Sequence, residues 1–460
     1  MTSYFDNGFV EQDAEGIIDN VLASVRKCLA VFEENGYSRD GIAACGISNQ
    51  RETFIVWDKD GKPLHPAIVW QCKRSIGICE ELKQQGGQDT INQKTGLLID
   101  PYFSATKLAW LNRNNERVST AIGSGNAFFG TIDTWLLYRL TGGQQYLTDH
   151  TNASRTLLFN LHTLQWDTEL IEIFGLQGIR LPEIKSSSSL FGETTFGGLL
   201  PTPVPVTAMI GDSHAAAFGE GCFEPGTAKA TLGTGCSVLM NIGQKPVSSV
   251  HGMVTTICWS VPGRVDYALE GVIVSCGATI EWIKNGLGLL NGSGEAEAMA
   301  TAVKDNGGVY IIPAFSGLGS PHWQMDRKAA ITGLSFGATK NHIVRAALES
   351  IAYQVKDVIA AMEQDAGVEL KELMVNGGIT SNAFVLQFMA DLLDRNIVKG
   401  TIADVSALGA AYLAGLCAGV YKSIDELKEL SADHSMVLPD NHNTAIRDFY
   451  EGWKQNIAIK

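Results

Sequence analysis

Three apolar strands in this chain each run out into a short, glycine-bearing polar turn, and that recurrence restricts the fold more than any other feature. VPVTAMIGD (204–212) ends in Gly211-Asp212 and leads into the small residues SHAAA. AKATLGTGCSVLMN (228–241) reads as two strands around Gly233-Thr234-Gly235. ELMV (372–375) is followed by Asn376-Gly377-Gly378-Ile379-Thr380-Ser381-Asn382 and the helical run AFVLQFMADLL. A carboxylate at a strand end, as at Asp212, is placed to act as a base or beside a metal; it could equally cap a helix beginning at Ser213. Glycines let backbone N–H groups approach phosphate oxygens and a threonine hydroxyl adds a donor, although tight hairpins use Gly-Thr-Gly as well. A strand, a glycine turn and a capped helix seat a phosphate well, because the helix start presents free N–H groups and the positive end of its dipole. The order of the three turns carries more weight than any one of them.

The rest of the chain supports a mixed architecture. Asp13 can cap a helix whose apolar positions Ile17, Ile18, Val21, Leu22, Val25, Leu29 and Phe32 recur at helical spacing up to Asn35-Gly36. The first strand signal comes only after it, in GIAACGIS (41–48) and TFIVW (53–57), which flank the polar cluster Asn49-Gln50-Arg51-Glu52. Helical character returns around 75–84, 104–114 and 133–140, whereas the SSSS run at 186–189 and the Gly-, Thr- and Pro-rich stretch 191–205 read as a solvated loop and an irregular connection. Strand and helix signals alternate to the end, which points to α/β lobes. With 460 residues, two or three domains are expected. The formal net charge of −14 argues against nucleic acid as a partner. The nine cysteines form no C-x-x-C pair, so neither a zinc site nor a disulfide framework is indicated and a reduced, cytoplasmic setting is expected. No apolar run approaches the ~18 residues of a membrane span, and the start lacks the pattern of a signal peptide.

The ordered turns resemble the nucleotide clefts of actin-like ATPases, and longer segments narrow the resemblance. YFSATKLAWL (102–111) and the stretch from AAITGL (329–334) to HIVRAALE (342–349) resemble the two signature patterns of the FGGY carbohydrate kinase family. ISNQRET (47–53), AIVWQCKR (67–74), TGLLIDPYFS (95–104), TIDTWLLYRLTGG (131–143) and TDHTNASRTLLFN (148–160) are similar to its glycerol kinase branch in particular. The similarity runs from about Gly8 to Trp453. It implies two actin-like (ribonuclease H-like) α/β lobes around a nucleotide cleft: an N-terminal, polyol-binding lobe over 1–220 and a C-terminal, ATP-binding lobe over 221–460. The activity implied is ATP-dependent phosphorylation of a terminal hydroxyl of a small polyol, glycerol first. Mg2+ would accompany ATP, with no nucleic acid or membrane partner, and assembly with further copies of the chain stays open.

Residue by residue, the resemblance assigns Asp212 as general base. Arg51, Glu52, Trp70, Tyr102, Asp212 and Ser213 would contact the polyol, and Gly233, Thr234, Gly235, Gly277, Glu281, Gly378 and Asn382 the nucleotide; no protein metal ligand is implied. Read alone, the neighbours Arg51 and Glu52 describe a surface ion pair. The chain departs from the family pattern at Ser213 and Glu281, each where glutamine is usual, and at Ser237, where a phenylalanine usually walls the pocket. The smaller wall admits a longer polyol or a ketose as an alternative substrate. The family's opening strands, with their Asp-x-Gly-Thr-Thr hairpin, have no counterpart here. The expectation is therefore a chain truncated at its first lobe and weak in phosphoryl transfer, and a non-catalytic, actin-like nucleotide-binding protein stands as the alternative from another class.

Overall fold

The computed structural model describes residues 2–459 except Ser293, Thr401, Ala403, 431–433 and 441–444. It is α/β throughout. The first helix, Ala14–Glu34, starts where Asp13 accepts a hydrogen bond from the Glu15 amide and stops at Asn35-Gly36, with Gly36 at φ 85°. Two short strands precede it, against the expectation of none: Thr2–Tyr4 pairs with Val10–Gln12. Three-residue strands show no usable alternation, and these are held by tertiary pairing, Glu11 opposite Ile68 and Gln12 opposite Ala67.

The two strands read around the Asn49–Glu52 cluster belong to different sheets. Cys45–Asn49 runs parallel to Val204–Gly211 at the edge of a three-stranded sheet. Phe54–Trp57 pairs with Phe128–Thr131 in a five-stranded one. Residues 42–44 stay outside any strand. Ile47, Ile55, Trp57, Trp135, Val206 and Met209 close a core between the two sheets.

A seven-stranded sheet organises the second half. Four strands, Val254–Val261, Arg264–Ile273, Cys236–Gly243 and Thr227–Leu232, are antiparallel in that spatial order. Glu372–Asn376 and Asn396–Gly400 continue in parallel, and His434–Val437 closes the edge. The helix Lys340–Ala366 buries Val344, Leu348, Ile351, Val355 and Val358 in the core formed with this sheet. The helix Val405–Cys417 lies against Asp212–Gly219 and the strand Cys45–Asn49, tying the two halves together. The approach needs glycine at 409, where a Cβ would lie 1.8 Å from the Ala215 carbonyl oxygen.

The serine run is not a solvated loop. Ser188 opens the strand Ser188–Thr194, and both it and Ser187 are buried. Their hydroxyls donate to the Asp149 carboxylate and the Leu413 carbonyl, partners that sequence reading could not supply. Among the described residues no helix is long and apolar enough to cross a membrane.

Candidate active site

Arg51 and Glu52 follow the strand Cys45–Asn49 in a tight turn. Glu52 has φ 62°, a left-handed conformation uncommon for a residue with a side chain, and its carbonyl is pinned by the Ser104 hydroxyl at 2.8 Å. The turn directs both charges inward, so that Arg51 is 6% and Glu52 1% exposed. The surface-pair reading is thereby corrected: each finds a remote partner instead of the other. Arg51 Nη2 donates to Glu270 Oε1 at 2.9 Å, and its Nε stands 3.4 Å from Asp212 Oδ1. Glu52 Oε1 accepts from Arg155 Nε at 2.6 Å, and Arg155 Nη1 lies 2.7 Å from Glu270 Oε2. Two guanidiniums and two carboxylates thus share a desolvated cluster spanning both halves of the chain, an arrangement stable only while every charge keeps its partner.

The electrostatics follow from that geometry. Burial pushes the Glu52 carboxyl above its ordinary range, with Arg155 and Arg51 opposing. Burial would raise Glu270 too, but Arg155 and Arg51 together outweigh it and hold that carboxyl well below the usual range. Burial, reinforced by Glu52, raises the Tyr102 phenol, which therefore remains a neutral hydroxyl. Arg51 Nη1 is buried without a hydrogen-bond partner, a donor to spare. Trp70 meets Tyr102 edge-on with ring centroids 5.4 Å apart, and the Arg155 guanidinium lies 5.9 Å from the Tyr102 ring. Trp70, Tyr102, Val10, Cys72 and Asp100 line a cavity of about 460 Å³. The buried ammonium of Lys107 fixes this wall by donating to the carbonyls of Pro101, Tyr102 and Phe103 at 2.6, 2.6 and 3.0 Å. Ser237, one of the departures, donates to Glu270 Oε1 at 3.3 Å and so lies at the cluster.

Asp212 is the first residue of the helix Asp212–Gly219, and its side chain is 47% exposed. The cap position belongs to Gly211, yet Asp212 Oδ1 accepts from the Ser213 amide at 2.6 Å, so the carboxylate also ties into the first turn of this helix. Asp212 and Ser213 line a cavity of about 310 Å³ with Lys229, Thr231, Asn376, Gly377 and Asp404. A neighbouring cavity of about 640 Å³ gathers Gly233, Thr234, Gly277, Glu281, Gly378 and Asn382. Six of the seven expected nucleotide contacts, scattered over 150 residues of sequence, therefore converge. Gly235 stands outside this lining; a Cβ there would lie 2.8 Å from the Ile273 carbonyl, so it serves the hairpin itself. Asn382 caps the helix Ala383–Leu393 through the Val385 amide at 3.0 Å, with the single 3-10 turn Gly378–Ser381 before it. Gly377 adopts φ 97°, and a Cβ on it would lie 2.4 Å from the Leu232 carbonyl oxygen.

Sequence reading missed Arg155, Glu270 and Lys107. Arg155 and Lys107 lie inside family-like segments and could have been flagged as charges amid apolar or small residues; nothing local distinguishes Glu270 within its strand. A further cavity of about 690 Å³ opens elsewhere, beside Asp13, His65, Arg117 and Arg139. There Arg139 is paired with Glu15 and His65 lies beside Glu11.

Comparison with known proteins identifies the family and the fold. The profile described as "FGGY family of carbohydrate kinases, N-terminal domain" matches residues 1–219, and that of the C-terminal domain matches residues 228–418. Glycerol kinases of Bacillus velezensis and Bacillus anthracis are 46% identical over 459 residues, covering 99% of this chain and 92% of theirs. The crystal structure of Plasmodium falciparum glycerol kinase with ADP superposes with a TM-score of 0.94 at 35% identity, over 99% of this chain and 91% of that one. A ligand-bound xylulose kinase from Lactobacillus acidophilus shares the fold at 20% identity, with a TM-score of 0.87 over 100% of this chain and 92% of its own. Two matched domains, high identity along nearly the whole length and a common fold together establish that this chain belongs to the FGGY family of carbohydrate kinases.

Proposed function

We propose that this chain transfers the γ-phosphoryl group of ATP to a terminal hydroxyl of glycerol, giving glycerol 3-phosphate and ADP. The observation that carries the reading is the place of Asp212: half exposed, 3.4 Å from Arg51 of the acceptor cluster, and in a cavity that abuts the glycine-lined seat. Its carboxylate takes the proton of the attacking hydroxyl, a contribution of about 10²- to 10⁴-fold, and positioning and charge stabilisation supply the rest. The spare Arg51 Nη1 donates to a glycerol hydroxyl, the Glu52 carboxylate accepts from one, and the neutral Tyr102 phenol can do either. Trp70 covers the carbon face and Ser213 faces the reacting end. Gly233, Thr234, Gly277 and Gly378 offer backbone and hydroxyl donors to phosphates, while Glu281 and Asn382 border the rest of the nucleotide.

Mg2+ would accompany ATP, held chiefly by phosphate oxygens. Asp212 and Asp404 offer oxygens to the same cavity, and the ion would neutralise phosphate charge there. In this reading residues 1–220 present the acceptor, residues 221–460 present ATP, and the enzyme works in the cytoplasm. Ser237 at the cluster favours one further reading, a longer polyol or ketose as acceptor. ADP release measured with ATP, Mg2+ and a panel of glycerol, erythritol, xylitol and xylulose separates these; glycerol is expected to give the highest kcat/KM. Tight ADP binding with no acceptor-dependent turnover would instead mark a non-catalytic nucleotide-binding protein.

A further inference from the structure

Lys229 has no role in the scheme above, and its surroundings call for one. It lies in the strand Thr227–Leu232 and is 1% exposed. Ala228, Ala230 and Leu232 enter the core, so alternation puts Lys229 on the opposite face with Thr231, towards the cavity of Asp212. Its ammonium donates to Thr231 Oγ at 3.0 Å and forms no ion pair among the described residues. Buried Glu220 is electrostatically coupled to it without forming an ion pair: its Oε1 accepts from Asn376 Nδ2 at 2.6 Å, and its Oε2 is buried with no hydrogen-bond partner. A buried ammonium with three donors and one neutral partner is costly unless something else completes its shell.

The cavity shows what could. Thr231 and Gly377 line it, while the next residue of each segment, Leu232 and Gly378, lines the nucleotide seat. A nucleotide whose inner phosphates rest on the Gly233-Thr234 and Gly378 turns therefore directs its terminal phosphate past those residues, towards Lys229 and Asp212. We infer that Lys229 is a catalytic residue whose ammonium binds the oxygens of the phosphoryl group being transferred. In the step, the bond from Pγ to the bridging oxygen of ADP breaks and a bond from Pγ to the acceptor oxygen forms. The acceptor proton goes to Asp212, and Lys229 keeps its own protons throughout, acting as a point charge.

The inference rests on the phosphoryl-transfer reading, so its test includes a measurement that needs no acceptor. Affinities for ADP and for a non-hydrolysable ATP analogue are measured by calorimetry on the wild type and on Lys229→Met, with Mg2+ present, alongside glycerol-dependent turnover. ADP affinity is expected to stay within about threefold, the analogue's preference relative to ADP to fall about tenfold or more, and kcat to fall about 10²-fold or more. Lys229→Arg should recover part of the preference, which a merely structural lysine would not require. If Lys229→Met fails to fold, the same ratio is read on Lys229→Gln. An unchanged analogue-to-ADP ratio overturns the inference whether or not glycerol is the acceptor, whereas a wild type without turnover but with the ratio shifted in the variant overturns only the choice of reaction.

Discussion

Replacing Glu270 by glutamine tests whether the buried four-charge cluster is held by mutual neutralisation. The substitution keeps shape and removes one anion, leaving Arg155 with Glu52 and Arg51 with only the half-exposed Asp212 as an ion-pair partner, in a region where Glu270 and Arg155 are both 2% exposed. Removing one partner of a buried ion pair costs about 3 to 5 kcal/mol, because the remaining charge stays desolvated. An unfolding entropy of about 2.1 cal/mol/K per residue over this length turns that into a fall of roughly 3 to 5 °C in Tm. The surface pair Lys371–Glu224, about half exposed on both sides, is the control; Lys371→Gln should cost about 0 to 1 kcal/mol and move Tm by no more than about 1 °C. Glu270→Gln also frees Arg51 to turn onto Asp212, 3.4 Å from its Nε, which withdraws it from the acceptor. Losing a charge-assisted hydrogen bond should raise the glycerol KM by about tenfold or more. Calorimetric melting and steady-state kinetics on the two variants decide. A Tm within 1 °C of the wild type together with an unchanged KM would refute the argument.

Asp212→Asn should lower kcat by about 10²-fold or more while ADP affinity and Tm hold, since the amide keeps the shape and loses the base; unchanged turnover would remove Asp212 from that role. Ser237→Phe should narrow acceptance towards glycerol, because an aromatic ring beside Glu270 fills the space a longer chain would use; it fails if the ranking of glycerol against erythritol does not move. Burial lowers the Lys107 ammonium to about 8 from its ordinary 10.5, so between those values the unfolded chain binds more protons than the folded one and stability rises with pH. The gain from this group is on the order of 3 kcal/mol between pH 8 and 10.5, absent below pH 8. Urea unfolding at pH 7.5, 9 and 10 should show that rise in the wild type relative to Lys107→Met, and parallel pH profiles would contradict it.

What the sequence determined by itself is local. The helix Ala383–Leu393 and its cap at Asn382 follow from an apolar run with an amide side chain just ahead of it. The strand Val204–Gly211 and the emergence of Asp212 follow from an apolar run broken by a glycine. Glycine turns were legible for the same reason: the conformation they need, as at Gly377, belongs to one residue type wherever it stands in a fold. The family resemblance added which turns share one cleft. What only the tertiary structure decided is which charges become buried and with whom. Arg51 meets Glu270 across 219 positions and Glu52 meets Arg155 across 103, so adjacent opposite charges that locally describe a surface pair become two arms of an interior cluster. The serine run was misread for the same cause, its hydroxyls being taken up by Asp149 and by Leu413, which is 225 positions from Ser188. Desolvation sets the worth of a polar group, and desolvation is a property of the packed chain, absent from any window of the sequence.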